Sequence, residues 1–234
     1  MDKAKISELF CSLQGEGIYW GKKQIFVRFY GCNMKCVYCD EEEKTFHGPY
    51  EEIDVVTLRN RLLVFEKENG PFHSISLTGG EPLLYTDFLK RLCPLLKADG
   101  FRLYLETNGT YPERLREVIS WIDVIAMDMK PPTATRDRAF WKEHREFLEI
   151  GRHKELFVKI IVTQSTAFEE VEWAIEEMAR VDRAIPLILQ PVTPYGEIRE
   201  TIPRTALFSL EKRARQVLRD VRVLPQLHKL VGIP

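Results

Sequence analysis

Six apolar, strand-like runs alternate with amphipathic helical runs along this 234-residue chain, and that alternation narrows the fold more than any other feature. The runs lie at 24–30, 73–77, 102–106, 124–127, 157–162 and 187–189. Several are almost continuously apolar, as strands covered on both faces are. Between them Val55, Leu58, Leu62 and Phe65 recur at helical spacing. So do Phe168, Val171, Ile175 and Met178, and then Leu207, Leu210, Ala214 and Val217. Such alternation predicts an α/β fold with a parallel sheet and crossover helices. A full eight-fold barrel typically takes about 250 residues. Six units plus a terminal strand predict an incomplete parallel β/α barrel of about six strands, in one domain over 1–234.

Bulk properties exclude several classes. The chain has 34 Lys+Arg against 35 Asp+Glu, so no net charge draws it to nucleic acid or to an anionic membrane. The basic stretch Lys212-Arg213-Ala214-Arg215 reads as a solvated helix face. No run of about eighteen apolar residues occurs, so no membrane helix is expected. The opening Met1-Asp2-Lys3-Ala4-Lys5 lacks the apolar centre of a secretion signal. Five cysteines, three of them clustered, argue against a disulfide framework and for a reducing cytoplasm. Cys11 and Cys93 lie apart and read as small buried hydrophobes.

The polar motifs fall where predicted strands end. Gly31-Cys32-Asn33-Met34-Lys35-Cys36-Val37-Tyr38-Cys39-Asp40 follows the first strand and Thr78-Gly79-Gly80-Glu81-Pro82 the second. Glu106-Thr107-Asn108-Gly109 follows the third, Asp128-Met129-Lys130 the fourth and Gln190-Pro191 the sixth. Parallel α/β folds gather ligands at the carboxyl ends of their strands, so five motifs on one rim predict one active site. Cys32, Cys36 and Cys39 can hold three irons of a four-iron cluster and leave the fourth open to a ligand. The alternative is a structural zinc, which takes four ligands, commonly from two Cys-x2-Cys pairs. Here the second pair is missing, and only His47 in a nearby loop offers a fourth ligand.

Those motifs resemble the radical S-adenosylmethionine (SAM) superfamily. The Cys-x3-Cys-x2-Cys loop with aromatic Tyr38 is similar to its cluster loop, and Gly79-Gly80-Glu81-Pro82 to its glycine-rich SAM motif. The ends of the chain are more discriminating. Leu9-Phe10-Cys11-Ser12-Leu13-Gln14-Gly15-Glu16-Gly17, Phe26-Val27-Arg28-Phe29-Tyr30-Gly31-Cys32 and Val221-Arg222-Val223-Leu224-Pro225-Gln226-Leu227-His228-Lys229 resemble the 7-carboxy-7-deazaguanine synthase family of the queuosine pathway. Lys130-Pro131-Pro132 and Leu189-Gln190-Pro191 extend the resemblance, which runs from about residue 6 to the last residue printed.

The resemblance implies a 4Fe-4S cluster, SAM and magnesium. It implies conversion of 6-carboxy-5,6,7,8-tetrahydropterin to 7-carboxy-7-deazaguanine plus ammonia, by hydrogen abstraction at C6 and radical ring contraction. It also implies N- and C-terminal extensions covering the substrate, an external flavodoxin- or ferredoxin-type reductant and a homodimer. Carried over by position, Leu13, Gln14, Gly15, Glu16, Arg28, Thr78, His228 and Pro234 are expected at the pterin. Tyr38, Gly79, Gly80, Glu81, Asn108, Asp128, Met129, Lys130, Gln190, Pro191, Val192 and Thr193 are expected at SAM. The chemistry agrees: Gln14 and Glu16 suit an aminopyrimidinone edge, and Arg28 suits a carboxylate. Two departures stand out. Asp128-Met129 replaces the first two residues of a Ser-Pro-Lys-like segment. Glu41 stands where the family has a magnesium-binding threonine, with Thr45 four residues on. Glu41 is the expected magnesium ligand. Competing readings are a glycyl-radical activase, which shares both central motifs, and a zinc-stabilised binding module without chemistry.

Overall fold

The computed structural model describes residues 3–195 and 198–232. Nine strands form one sheet. They are β1 (Lys3–Leu13), β2 (Lys23–Phe29), β3 (Glu51–Asp54), β4 (Ser74–Gly79), β5 (Leu103–Thr107), β6 (Val124–Asp128), β7 (Glu155–Val162), β8 (Leu187–Pro191) and β9 (Val221–Val223), in the order β3-β1-β2-β4-β5-β6-β7-β8-β9. From β2 to β9 every neighbour is parallel. This run contains the six predicted strands and the terminal one. The two strands the sequence did not reveal, β1 and β3, join at one edge and are antiparallel. The reason for missing β1 is local. Its register shifts between Ile6 and Glu8, so inward and outward residues exchange part-way along and the period of two is lost.

Eight helices connect and flank the strands: α1 (Val55–Asn69), α2 (Thr86–Ala98), α3 (Pro112–Val118), α4 (Pro132–Thr135), α5 (Trp141–Gly151), α6 (Phe168–Val181), α7 (Arg204–Arg215) and α8 (Leu227–Val231). α1 starts at Asp54, whose carboxylate accepts from Thr57 N at 2.9 Å, a cap worth about 1 kcal/mol. The helices bury Leu58, Leu62, Phe88, Leu92, Phe147, Ile175 and Met178 against Ile25, Val27, Phe29, Leu77, Leu105, Val158 and Leu189 of the strands. Each such side chain contributes roughly 1.5–3 kcal/mol by leaving water.

The alternate strand residues face the other way and divide by height. Near the amino ends Tyr104, Val124, Phe157 and Ile188 pack with Ile18, Tyr19 and Leu224. Near the carboxyl ends the same face carries Arg28, Thr78, Glu106, Asp128 and Lys159. An apolar floor thus lies beneath a polar rim, and the rim lines a cavity.

Candidate active site

Strand register brings the rim together. Arg28 on β2 is the register partner of Thr78 on β4, and Asp128 on β6 that of Lys159 on β7. The cysteine loop leaves β2 and crosses the same opening, so Cys32, Cys36, Cys39 and Tyr38 line the cavity with Gly79, Gly80 and Lys130. Gly79 and Gly80 follow from close packing. Gly79 has φ +124°, and a Cβ there would overlap the Phe29 backbone. A Cβ on Gly80 would overlap the Gly31 carbonyl oxygen, so only glycine lets these two strand ends meet.

The three cysteines fit the chemistry expected of them. All face one cavity and none is in a disulfide. Burial, aided by the Glu81 charge, pushes the Cys32 thiol up to about 12, and burial pushes Cys39 up to about 11. Cys36 is raised for the same reason. They therefore hold protons until a metal displaces them. Met34 N donates to Cys32 Sγ at 3.4 Å, and Asn108 Nδ2 approaches it at 3.8 Å. Such donors stabilise a thiolate once it forms.

Asn108 serves this loop first. Its Nδ2 also donates to Asn33 Oδ1 at 2.8 Å, and its Oδ1 accepts from Thr110 N and Oγ1. Its amide is thus occupied, while the residue still lines the cavity. Glu81 does not reach the cavity. Fully buried, it accepts from Asn108 N, Leu83 N and Thr107 Oγ1, and so fixes the turn that carries Asn108. Burial raises its carboxyl to about 7 against those hydrogen bonds. Met129 likewise turns into the core under the helices.

Of the 190–193 segment, Val192 lines the cavity beside Tyr38 and Ala134. Gln190 is fully buried and donates to Glu16 Oε1 at 3.0 Å instead. Pro191 ends β8, and neither it nor Thr193 is among the lining residues. Asp128 Oδ2 accepts from Lys130 Nζ at 2.7 Å, while its buried Oδ1 has no hydrogen bond and is open to a ligand hydroxyl.

Leu13, Gln14, Gly15, Glu16, Arg28 and Thr78 all line the cavity. Gln14, expected to read a substrate edge, is saturated. Its Nε2 donates to Gln24 Oε1 at 3.0 Å and Glu106 Oε1 at 2.9 Å, and its Oε1 accepts from Glu16 N at 3.0 Å. It orients the Glu106 carboxylate and fixes the Glu16 backbone, and both residues face the cavity. Arg28 Nε donates to Glu8 Oε2 at 2.8 Å, and its Nη2 lies 3.2 Å from Glu41 Oε1. Glu41 also meets Lys44, so the expected magnesium ligand is held in ion pairs. His228 belongs to α8, but its side chain and Pro234 lie outside what the structure describes.

Lys159, Glu106 and Gln226 also line the cavity; none was expected as a site residue, although Glu106 opens the 106–109 motif and Gln226 lies in the 221–229 string. Lys159 Nζ pairs with Glu16 Oε2 and lies 3.7 Å from Asp128 Oδ2. Burial alone would lower its pKa, but the charges of Glu16, Asp128 and Glu106 outweigh it and hold the ammonium above its usual value. Its signal was legible: a single lysine inside an apolar strand, as Arg28 is a single arginine inside another.

With this geometry in place, likeness to known proteins identifies the lineage. Residues 26–208 match the radical SAM superfamily. A 7-carboxy-7-deazaguanine synthase of Geobacter sulfurreducens is 38% identical across 98% of this chain and 97% of its own. One from Methanocaldococcus jannaschii is 32% identical, across 97% and 99%. This chain belongs to the 7-carboxy-7-deazaguanine synthase family of radical SAM enzymes. The structure of QueE from Escherichia coli shares its fold, with TM-score 0.64 at 21% identity over 97% of this chain and 95% of that one. The incomplete parallel barrel is therefore that of the radical SAM family, whose members need a cluster and SAM. The activase and zinc-module readings give way to it. No described helix is long and apolar enough to cross a membrane.

Proposed function

We propose that this family member converts 6-carboxy-5,6,7,8-tetrahydropterin to 7-carboxy-7-deazaguanine and ammonia, by hydrogen abstraction at C6 and radical ring contraction. The observation that carries the reading is one cavity that holds the three family cysteines together with Glu16, Arg28 and Thr78. Cys32, Cys36 and Cys39 would hold the cluster, which together with SAM would supply a radical by one-electron cleavage of the sulfonium.

The chain's own residues bind and orient. Glu16 and Glu106 offer acceptors to the amine and ring N–H of the pterin; Gln14 holds the Glu106 carboxylate and the Glu16 backbone in place. Arg28 uses two of its donor directions on Glu8 and Glu41 and has others left for the substrate carboxylate. Lys130 and Lys159 balance Asp128 and Glu16, so the buried site carries paired charges. The apolar floor under the rim keeps water from below.

Magnesium belongs to the same reading. Thr45 Oγ1 is a buried oxygen without a hydrogen bond, Glu41 Oε2 meets the Lys44 ammonium at 3.3 Å, and both residues line the cavity. Among the described residues no three His, Cys, Asp or Glu side chains converge as a metal site. Magnesium there would take most of its ligands from water and substrate oxygens, as it commonly does. An external flavodoxin- or ferredoxin-type reductant, a homodimer and a place in tRNA queuosine modification follow from the family resemblance, and a cytoplasmic location from the clustered free cysteines. Anaerobic turnover of carboxytetrahydropterin with SAM and dithionite, with and without magnesium, tests the proposal. The expected product is 7-carboxy-7-deazaguanine, and SAM cleavage without that product would refute it.

A further inference from the structure

Gln226 lies just before α8, is 7% exposed and lines the cavity. Its Nε2 donates to Glu16 Oε1 at 3.0 Å and to Asp40 Oδ2 at 3.1 Å. Glu16 belongs to the turn after β1, and Asp40 follows the last cluster cysteine directly. One amide nitrogen thus spans two carboxylates from separate walls. An NH2 group has two hydrogens and no acceptor function, so it suits two acceptors at once. Neighbouring contacts run the same way. Leu227 N donates to the Gly15 carbonyl at 3.0 Å, and Lys229 Nζ lies 2.6 Å from Asp40 Oδ2. The C-terminal helix is therefore fixed to the N-terminal turn and to the cluster loop at the same time.

Resting on the pterin reading above, we propose that Gln226 is a positioning residue for substrate: its amide ties Glu16 to Asp40 and holds α8 down on the cavity. Among its described partners, the Glu16 carboxylate meets three side chains of different kinds. Gln190 and Gln226 share Oε1, and Lys159 takes Oε2. Gln190 comes from a sheet strand and Lys159 from another, so both are fixed by the core. Gln226 alone among the three rides on the terminal segment. A substrate amine that seeks Glu16 meets there a partner that the terminal segment carries in. Without that amide, Glu16 and Asp40 lose the donor they share, and the segment keeps only Leu227 N on the Gly15 carbonyl and Lys229 on Asp40 to hold it down.

The test uses the reconstituted cluster-bound enzyme under anaerobic conditions. Gln226→Ala is expected to weaken carboxytetrahydropterin binding by roughly tenfold or more, the loss of hydrogen bonds to charged acceptors. SAM affinity and iron content stay at wild-type values. Hydrogen exchange of the amides of 224–232 speeds up in the variant even without ligand. Gln226→Met keeps length and packing but has no N–H, and it is expected to show the same losses. Normal pterin binding in either variant overturns the role, as does equal loss of SAM and pterin. A wild-type enzyme that binds no pterin sinks the substrate reading and the role with it; normal wild-type binding with an unaffected variant sinks the role alone.

Discussion

The side of the cavity proposed for the cluster and the side proposed for the substrate hold their polar groups by different means. On the cluster side the groups come from short contiguous motifs: the cysteine loop, Gly79-Gly80 and the Asn108 turn. Backbone fit and local hydrogen bonds place them, as Glu81 does for Asn108 N at 2.9 Å. On the substrate side single residues meet from far along the chain. Glu16 is held by Lys159, Gln190 and Gln226, and Gln14 by Gln24 and Glu106. The first side is a matter of shape and the second of charge balance. A contiguous motif tolerates little added bulk, while a charge network tolerates little change of formal charge.

Substitutions can break or sharpen that contrast. Cys36→Ala is expected to abolish SAM cleavage, read as 5′-deoxyadenosine formed, with far-UV circular dichroism unchanged; residual cleavage would remove this cysteine from the cluster. Next comes Lys159→Met, which strands Glu16 without its buried cation. A cost of about 3–5 kcal/mol in urea unfolding is expected, since a broken buried pair leaves an uncompensated charge. A Lys159→Met, Glu16→Gln double variant regains part of it if the network reading is right.

Gly80→Ala probes the shape side. It forces the Gly31 carbonyl away and is expected to cost about 1–3 kcal/mol, with lower iron uptake on reconstitution. Arg28→Ala acts only on the charge side. Pterin affinity falls about tenfold or more with SAM affinity retained, and equal losses would count against a substrate role.

A separate, pH-dependent effect concerns His144, buried against the Asn108 carbonyl at 3.1 Å. Burial lowers its pKa to about 4, below the usual 6.5. Between those values the unfolded chain takes up a proton that the native state refuses. Stability therefore falls as pH drops from about 6.5 to about 4, by at most about 1.4 kcal/mol per pH unit. His144→Phe lacks that slope. Denaturant midpoints at several pH values decide the point.

Much of the cluster side was legible because its chemistry is written in adjacent residues. Cys32, Cys36, Cys39, Tyr38, Gly79, Gly80, Asp128 and Lys130 were named from the sequence, and all line the cavity. Glu81 and Met129 belong to the same strings but turn away from it. Motif membership places a backbone at the rim, and strand alternation then decides which side chains face in. Lys159, Glu106 and Gln226 were not named as site residues: Lys159 is a lone lysine in an apolar strand, while Glu106 and Gln226 lie inside strings in which only the fold decides which side chains face in.

The sequence by itself determined the parallel run of strands, since apolar periodicity and strand–helix alternation are local. It also determined which ends carry chemistry, because the polar motifs sit at fixed distances from those runs. Only the tertiary structure decided the antiparallel edge of β1 and β3, where a register shift hides the alternation. It alone decided the partners of Glu16, which lie 143, 174 and 210 residues away in sequence. Side chains so distant share no local pattern; only the packing of the sheet and the return of the terminal helix bring their charges within hydrogen-bond reach.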